Sequence, residues 1–251
     1  MNDIELSILL PAFIAGLLVL ATHIPFGMKV LERGVIFADL AVAQIAGLGV
    51  ILAALLDLTE KPLAVQLIAA ASALCGAALL AWIEKRMAEV KEACIGLTFV
   101  LAASGGILLM SRDVHAGEHL KDLLVGQILW VNTGQLIATA ILTVVLLAMW
   151  QWSKLKTGNL GFYGMFALAV TASVQLVGVY LVFASLIVPA LATYRIKRKR
   201  TFYAFVIGVA GYAIGLSLSA WFDLPSGATV VWAMAVAGVF AALLLNTRKV
   251  G

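Results

Sequence analysis

Asp39 is the first side chain whose chemistry calls for an explanation. It lies a few residues into an apolar run, about Val35–Leu56, that is otherwise interrupted only by Gln44. An ionisable group inside such a run costs about 2.5–3.5 kcal/mol to insert into a bilayer, so it either serves a function or sits near enough to an interface to snorkel or cap a helix. In the functional case a carboxylate at this place replaces part of the hydration shell of a passing cation. Gln44 and, in a later apolar stretch, Gln175 are oxygen donors of the same kind and also ordinary interhelical hydrogen-bonding groups. A second constellation is DVHAGEH, residues 113–119, where His115 and His119 stand at i and i+4 with Glu118 between them. If helical, that spacing turns two imidazoles and a carboxylate toward one cation; otherwise the segment is a solvated polar loop. His23, beside Pro25, reads as a structural histidine. Cys75 and Cys94 lack metal-binding spacing and read as small buried hydrophobes. Ser185 has no histidine near it in sequence, and no nucleophile constellation stands out.

The elements that must hold these groups are membrane helices. The 251 residues are 63% hydrophobic and 12% charged, with a mean hydropathy of +1.08, whereas soluble domains are nearer half apolar and a quarter charged. The net charge of +4 is carried mostly by short connections, so it records topology and not a nucleic-acid surface. No polar stretch has room for a soluble domain, and the acidic start MNDIE lacks the basic residues of a cleavable signal peptide. Residues 1–251 therefore read as one transmembrane domain. Apolar runs fall at about Leu6–Ile24, Val35–Leu56, Leu63–Ile83, Ala93–Met110, Gln135–Trp152, Gly161–Tyr194, Thr201–Trp221 and Ala228–Leu245; Leu123–Val131 is too short to span. Lys/Arg excess near Lys29, Lys85, Lys154, Arg195–Arg200 and the C-terminus places those connections in the cytoplasm and the N-terminus outside. Residues 161–194 then start and end on the same side, so they cross and return or dip in and out. Half of this stretch reaches about 25 Å as helix, marginal for a span. A break near Val177-Gly178 fits, and broken backbone at membrane depth is tolerated only against protein or a water-filled cavity. The predicted fold is an all-α polytopic bundle of eight to nine transmembrane helices with a broken or re-entrant segment near Val177–Pro189. Gly178 and Pro189 are its gate or hinge candidates, and Pro189 is expected to bend or break the helix just before the water boundary.

Three stretches carry a family likeness. VLERGVIFAD (Val30–Asp39) leads into the second run, VGVYLVFASLIVPALATYR (Val177–Arg195) includes Pro189, and FDLPSG (Phe222–Gly227) forms a turn, with EACIG (Glu92–Gly96) between. With these blocks the chain resembles, over nearly its whole length, the permease subunit of bacterial zinc/manganese/iron ABC importers. Members of that family commonly place a histidine four residues after the aspartate, where it ligates the passing metal. Here the residue is Ala43, with Gln44 next, so Asp39 carries over as a candidate ligand and the histidine does not. The segment Ser153–Gly161 is also shorter than the family's amphipathic cytoplasmic stretch.

The resemblance implies a homodimer in the bacterial cytoplasmic (inner) membrane, with two cytoplasmic ABC ATPase subunits below and a periplasmic or lipid-anchored metal-binding protein above. It implies import of a divalent cation, zinc or manganese, held transiently and not as a resident cofactor. Metal-pathway candidates are Asp39, Gln44, His115, Glu118 and His119. ATPase-coupling candidates are Ala190, Thr193, Tyr194, Arg195 and Lys197. The chain has no GxxxxGK[ST] motif, so it is read as a transport subunit and not an enzyme, with ATP hydrolysed by a partner. Two other classes remain open. A secondary transporter working without an ATPase would show internal repeats and more membrane carboxylates than are visible. A non-transporting scaffold has only the missing histidine in its favour.

Overall fold

The computed structural model of the chain describes residues 3–56, 58, 61–110, 126, 128–151 and 158–247. Every regular element among them is helical: α1 (Asp3–Arg33), α2 (Ala38–Leu55), α3 (Pro62–Arg86), α4 (Lys91–Leu109), a 3-10 turn (Ile128–Trp130), α5 (Thr133–Trp150), α6 (Asn159–Val177), α7 (Val179–Ala192), α8 (Arg200–Phe222) and α9 (Ser226–Thr247). Eight of these helices are long and apolar enough to cross a bilayer, and α7 is a shorter apolar helix. In hydrocarbon no water is present to pair with backbone amides, and helices satisfy them internally. The chain is the all-α multi-span bundle that its apolar runs predict.

The prolines inside the apolar runs do not end their helices. The first apolar run ends at about Ile24 in the sequence, yet α1 continues through Pro11 and Pro25 as far as Arg33. It stops where Gly34 takes a left-handed φ of 63°, the usual conformation just past a helix end. Pro189 likewise lies inside α7 and does not end it. Proline removes one amide donor, and in a packed apolar helix the neighbours bear that loss. The break falls instead at Gly178, whose φ of 80° and ψ of 162° separate α6 from α7. At about 1.5 Å per residue, α6 reaches about 28 Å and α7 only about 21 Å, so the two pieces are unequal.

The chain divides into two compact units. The first comprises Met1–Arg33, Leu124–Val144 and Ser173–Gly251. In it α1, α7, α8 and α9 pack on one another, and the 3-10 turn lies against α1. Small residues let the backbones approach: Gly208 of α8 meets Leu20, while Gly211 and Gly215 meet Met234 and Val230 of α9. The FDLPSG segment turns α8 into α9. Asp223 adopts a left-handed φ of 50°, Leu224 N–H donates to the Ser219 carbonyl at 3.1 Å, and Ser219 Oγ donates to the Leu224 carbonyl at 2.6 Å.

The second unit comprises Gly34–Leu123 and Val145–Ala172. Here α2 packs against both α3 and α4, with Gly49 against Ala69 and Ser72, and Gly76 against Ile45. Trp150 and Phe162 close the α5–α6 hairpin with ring centroids 6.5 Å apart, and Phe162 stacks on Phe166 at 5.6 Å.

Candidate functional site

Asp39 occupies the first turn of α2 and is 1% exposed. Neither of its carboxylate oxygens has a hydrogen-bond partner among the described residues. A buried carboxylate left bare in this way is costly, since buried polar groups are almost always paired. The helix N-terminus offsets part of the charge, and the backbone N–H groups of Asp39 and Leu40 lie close to the carboxylate without meeting it in good hydrogen-bond geometry. Ala43, one turn on, is buried and contributes no donor. Gln44 is half-buried, and at 100° per residue it lies about 140° round the helix from Asp39, so the two share no face.

What does approach Asp39 within the same unit is Glu92, in the first turn of α4. Its Oε1 accepts the backbone N–H of Phe37, the residue that caps α2, at 3.1 Å. Its Oε2 is buried and unpartnered among the described residues, and the carboxylate lies within Coulombic range of Asp39. Reading the residues one by one missed this neighbour. Its only trace was the EACIG block, quoted for likeness and not for chemistry. His115, Glu118 and His119 lie outside the described residues. Among the described residues no group of three or more His, Cys, Asp or Glu side chains comes together.

In the first unit His23 is fully buried, and its Nδ1 donates to the Val19 carbonyl at 2.9 Å, an intrahelical bond that fits a structural histidine. Its Nε2 has no partner among the described residues. The hinge candidates separate. Gly178 is the break itself, and Gly126, with φ of 69°, sets its backbone directly against Val177 and Gly178, leaving no room for a side chain at 126. Pro189 is a helical residue whose carbonyl takes up the Thr193 hydroxyl at 2.7 Å.

That last bond begins the basic foot after α7. Ala190 and Thr193 are fully buried. Arg200 at the start of α8 donates through Nη2 to the Ala190 carbonyl at 3.3 Å, lies 5.6 Å from the centre of the Tyr194 ring and stands 3.8 Å from Glu32 of α1. The open carbonyls at the end of α7 are thus satisfied by Thr193 and Arg200. The Pro-Ala-Leu-Ala-Thr pattern has a local reason here: it closes a helix and anchors the loop. Tyr194 is 60% exposed, and Arg195 and Lys197 are exposed too. Of the five coupling candidates, these three are exposed and the other two are buried.

Eight helices long and apolar enough to cross a bilayer define a multi-span membrane protein. The chain belongs to the ABC 3 transport family, whose model matches residues 5–158 and 154–245. Among its relatives is the "Probable iron transport system membrane protein" of Haemophilus influenzae, 24% identical over 180 residues, covering 62% of this chain and 66% of that protein. Another is the "Chelated iron transport system membrane protein YfeD" of Yersinia pestis, 29% identical over 188 residues, covering 66% of this chain and 63% of that one. The matches therefore span just under two thirds of the length of these relatives. The solved structure of PsaBC from Streptococcus pneumoniae in complex with Fab shares the fold, with a TM-score of 0.70 and 22% identity over 96% of this chain and 91% of that one.

Proposed function

We propose that the chain is the membrane-spanning permease subunit of an ABC transporter that imports a divalent metal cation, works as a homodimer and is driven by a separate ATPase. In this reading it sits in the bacterial inner membrane with its N-terminus outside and its C-terminus in the cytoplasm. A periplasmic or lipid-anchored metal-binding protein delivers the ion, which is cargo and not a resident cofactor. The observation that carries the reading is Asp39: a carboxylate buried in a span with both oxygens unpartnered. Such a group repays its burial when a cation passes. A path poor in ligands also suits release, because tight ligation would hold the ion. Zinc and manganese are the candidate cargoes, and iron joins them through the names of the relatives. With Ala43 where the family places histidine, the available donor is oxygen, which favours the harder ions, manganese and ferrous iron, over zinc. ATP binding in the partner would act through the exposed foot at Tyr194, Arg195 and Lys197 and shift the segment broken at Gly178.

Asp39→Ala decides the matter. Cellular manganese, iron and zinc are measured by elemental analysis in a strain lacking the chain and complemented with either form. The substitution should abolish the accumulation that the unaltered chain restores, while the chain still reaches the membrane in normal amount. Accumulation at the unaltered level would remove Asp39 from the path.

A further inference from the structure

We infer that Glu92 is the second carboxylate of a two-carboxylate, all-oxygen cation site at the first turns of α2 and α4, standing in for the nitrogen donor that Ala43 cannot supply. The inference rests on the permease reading above and names the partner of Asp39. Four observations carry it. Asp39 is buried, with no side-chain partner and only the nearby backbone N–H groups of Asp39 and Leu40 at its carboxylate. Glu92 is tied to the same helix start through Phe37 N–H, at 3.1 Å to Oε1. Its second oxygen is buried and bare. The two carboxylates lie within range of each other's charge. Like charges brought together away from water repel, and neither side chain has an ion-pair partner among the described residues that would relieve this. A divalent cation bound between them supplies the missing positive charge and uses oxygens that no side chain occupies. Carboxylate donors suit manganese-like ions, and a site without nitrogen or sulfur gives zinc less of its usual advantage.

Position adds to the argument. Asp39 follows the connection that carries Arg33, and Glu92 follows the one that carries Lys85, Arg86 and Lys91. Both helix starts therefore belong to the basic, inner side by charge bias. The pair would be the last protein ligand before release, and Glu92 would set both the choice of ion and its exit.

The test uses the purified full-length chain in lipid nanodiscs and Mn²⁺ alone as probe. Free Mn²⁺ is followed by its electron paramagnetic resonance signal, and thermal unfolding is followed in parallel. Glu92→Gln keeps an acceptor for Phe37 N–H and removes only the charge, so a capping role survives it. The expected result is Mn²⁺ binding by the unaltered chain, binding at least tenfold weaker in Glu92→Gln, and a Mn²⁺-induced rise in melting temperature that the variant loses. Ala43→His added to Glu92→Gln should shift competition toward Zn²⁺. If Glu92→Gln binds Mn²⁺ as tightly as the unaltered chain, Glu92 is only a cap and the inference falls. It falls equally if the unaltered chain binds no Mn²⁺, the outcome expected if the pair merely shares a proton. Binding is read without transport, so an absence of metal accumulation in cells would overturn the permease reading and leave this result standing.

Discussion

Ser185 and Tyr212 show what a buried polar pair does in this bundle. Both are fully buried, and their hydroxyl oxygens lie 3.0 Å apart across α7 and α8. Pro189 gives α7 no amide donor for the Ser185 carbonyl four residues back, and the Ser185 hydroxyl ties the same turn to α8. A hydrogen bond of this kind contributes about 1 kcal/mol net, while leaving one member unpaired costs about 1–3 kcal/mol. Tyr212→Phe should therefore destabilise the purified chain by about 1–2 kcal/mol, and Ser185→Ala by a similar or smaller amount. The double variant should cost less than the sum, because the second change removes a group already orphaned. Chemical unfolding of the four forms in one detergent measures the coupling, and strict additivity would mean that the two hydroxyls are independent. Asp39 is the contrasting case. It has no such partner among the described residues, so its burial is not repaid within the resting fold.

At the scale of elements, the segment from α6 to α7 is a helix cut by one residue. Gly178 has φ of 80° and ψ of 162°, a region that side-chain-bearing residues occupy at a cost of about 1–3 kcal/mol. Gly178→Ala should lower the stability of the chain by about that amount and reduce metal accumulation in cells beyond what the loss of folded protein explains. Pro189→Ala serves as the control. It restores an amide inside a helix that already runs through the position, so both readouts should stay near normal. The opposite ranking would place the hinge at Pro189. Much of this level was legible in the sequence. Long apolar runs have one hydrogen-bonding solution in lipid, and a 34-residue run at 161–194 is too long for one span and short for two, which pointed to a break near Val177-Gly178. Pro189 misled because packing compensates locally for the amide it removes. Glu92 was hidden for a different reason. It is 53 positions from Asp39, and only the packing of α2 on α4, which no local pattern encodes, brings the two together.

For the whole molecule the proposed function raises the question of how energy from a separate ATPase would reach the break at Gly178. In that reading the foot between α7 and α8 would carry it. Its inner side is fixed, with Thr193 on the Pro189 carbonyl and Arg200 on the Ala190 carbonyl. Its outer side presents Tyr194, Arg195, Lys197, Arg198 and Lys199. In the proposed reading a push on the exposed side chains would reach α7 through these anchors, and α7 begins at Val179, next to the break at Gly178. Positive-inside retention explains the charge of this loop, but not the anchoring. The two accounts make different predictions. If the foot only sets orientation, Arg195→Glu leaves Arg198, Lys199 and Arg200 to do so, and an ATPase subunit co-purified with the chain should be unaffected. If the foot docks the ATPase, Arg195→Glu combined with Tyr194→Ala should cut co-purification at least tenfold at low salt while the chain keeps its topology. The residual contact of Arg195→Glu alone should respond less to salt than that of the unaltered chain, because screening lengths fall from about 30 Å at 0.01 M to about 10 Å at 0.1 M and the reversed charge has lost the attraction that screening weakens. Full co-purification by the double variant at every ionic strength would mean that the motor grips the chain elsewhere.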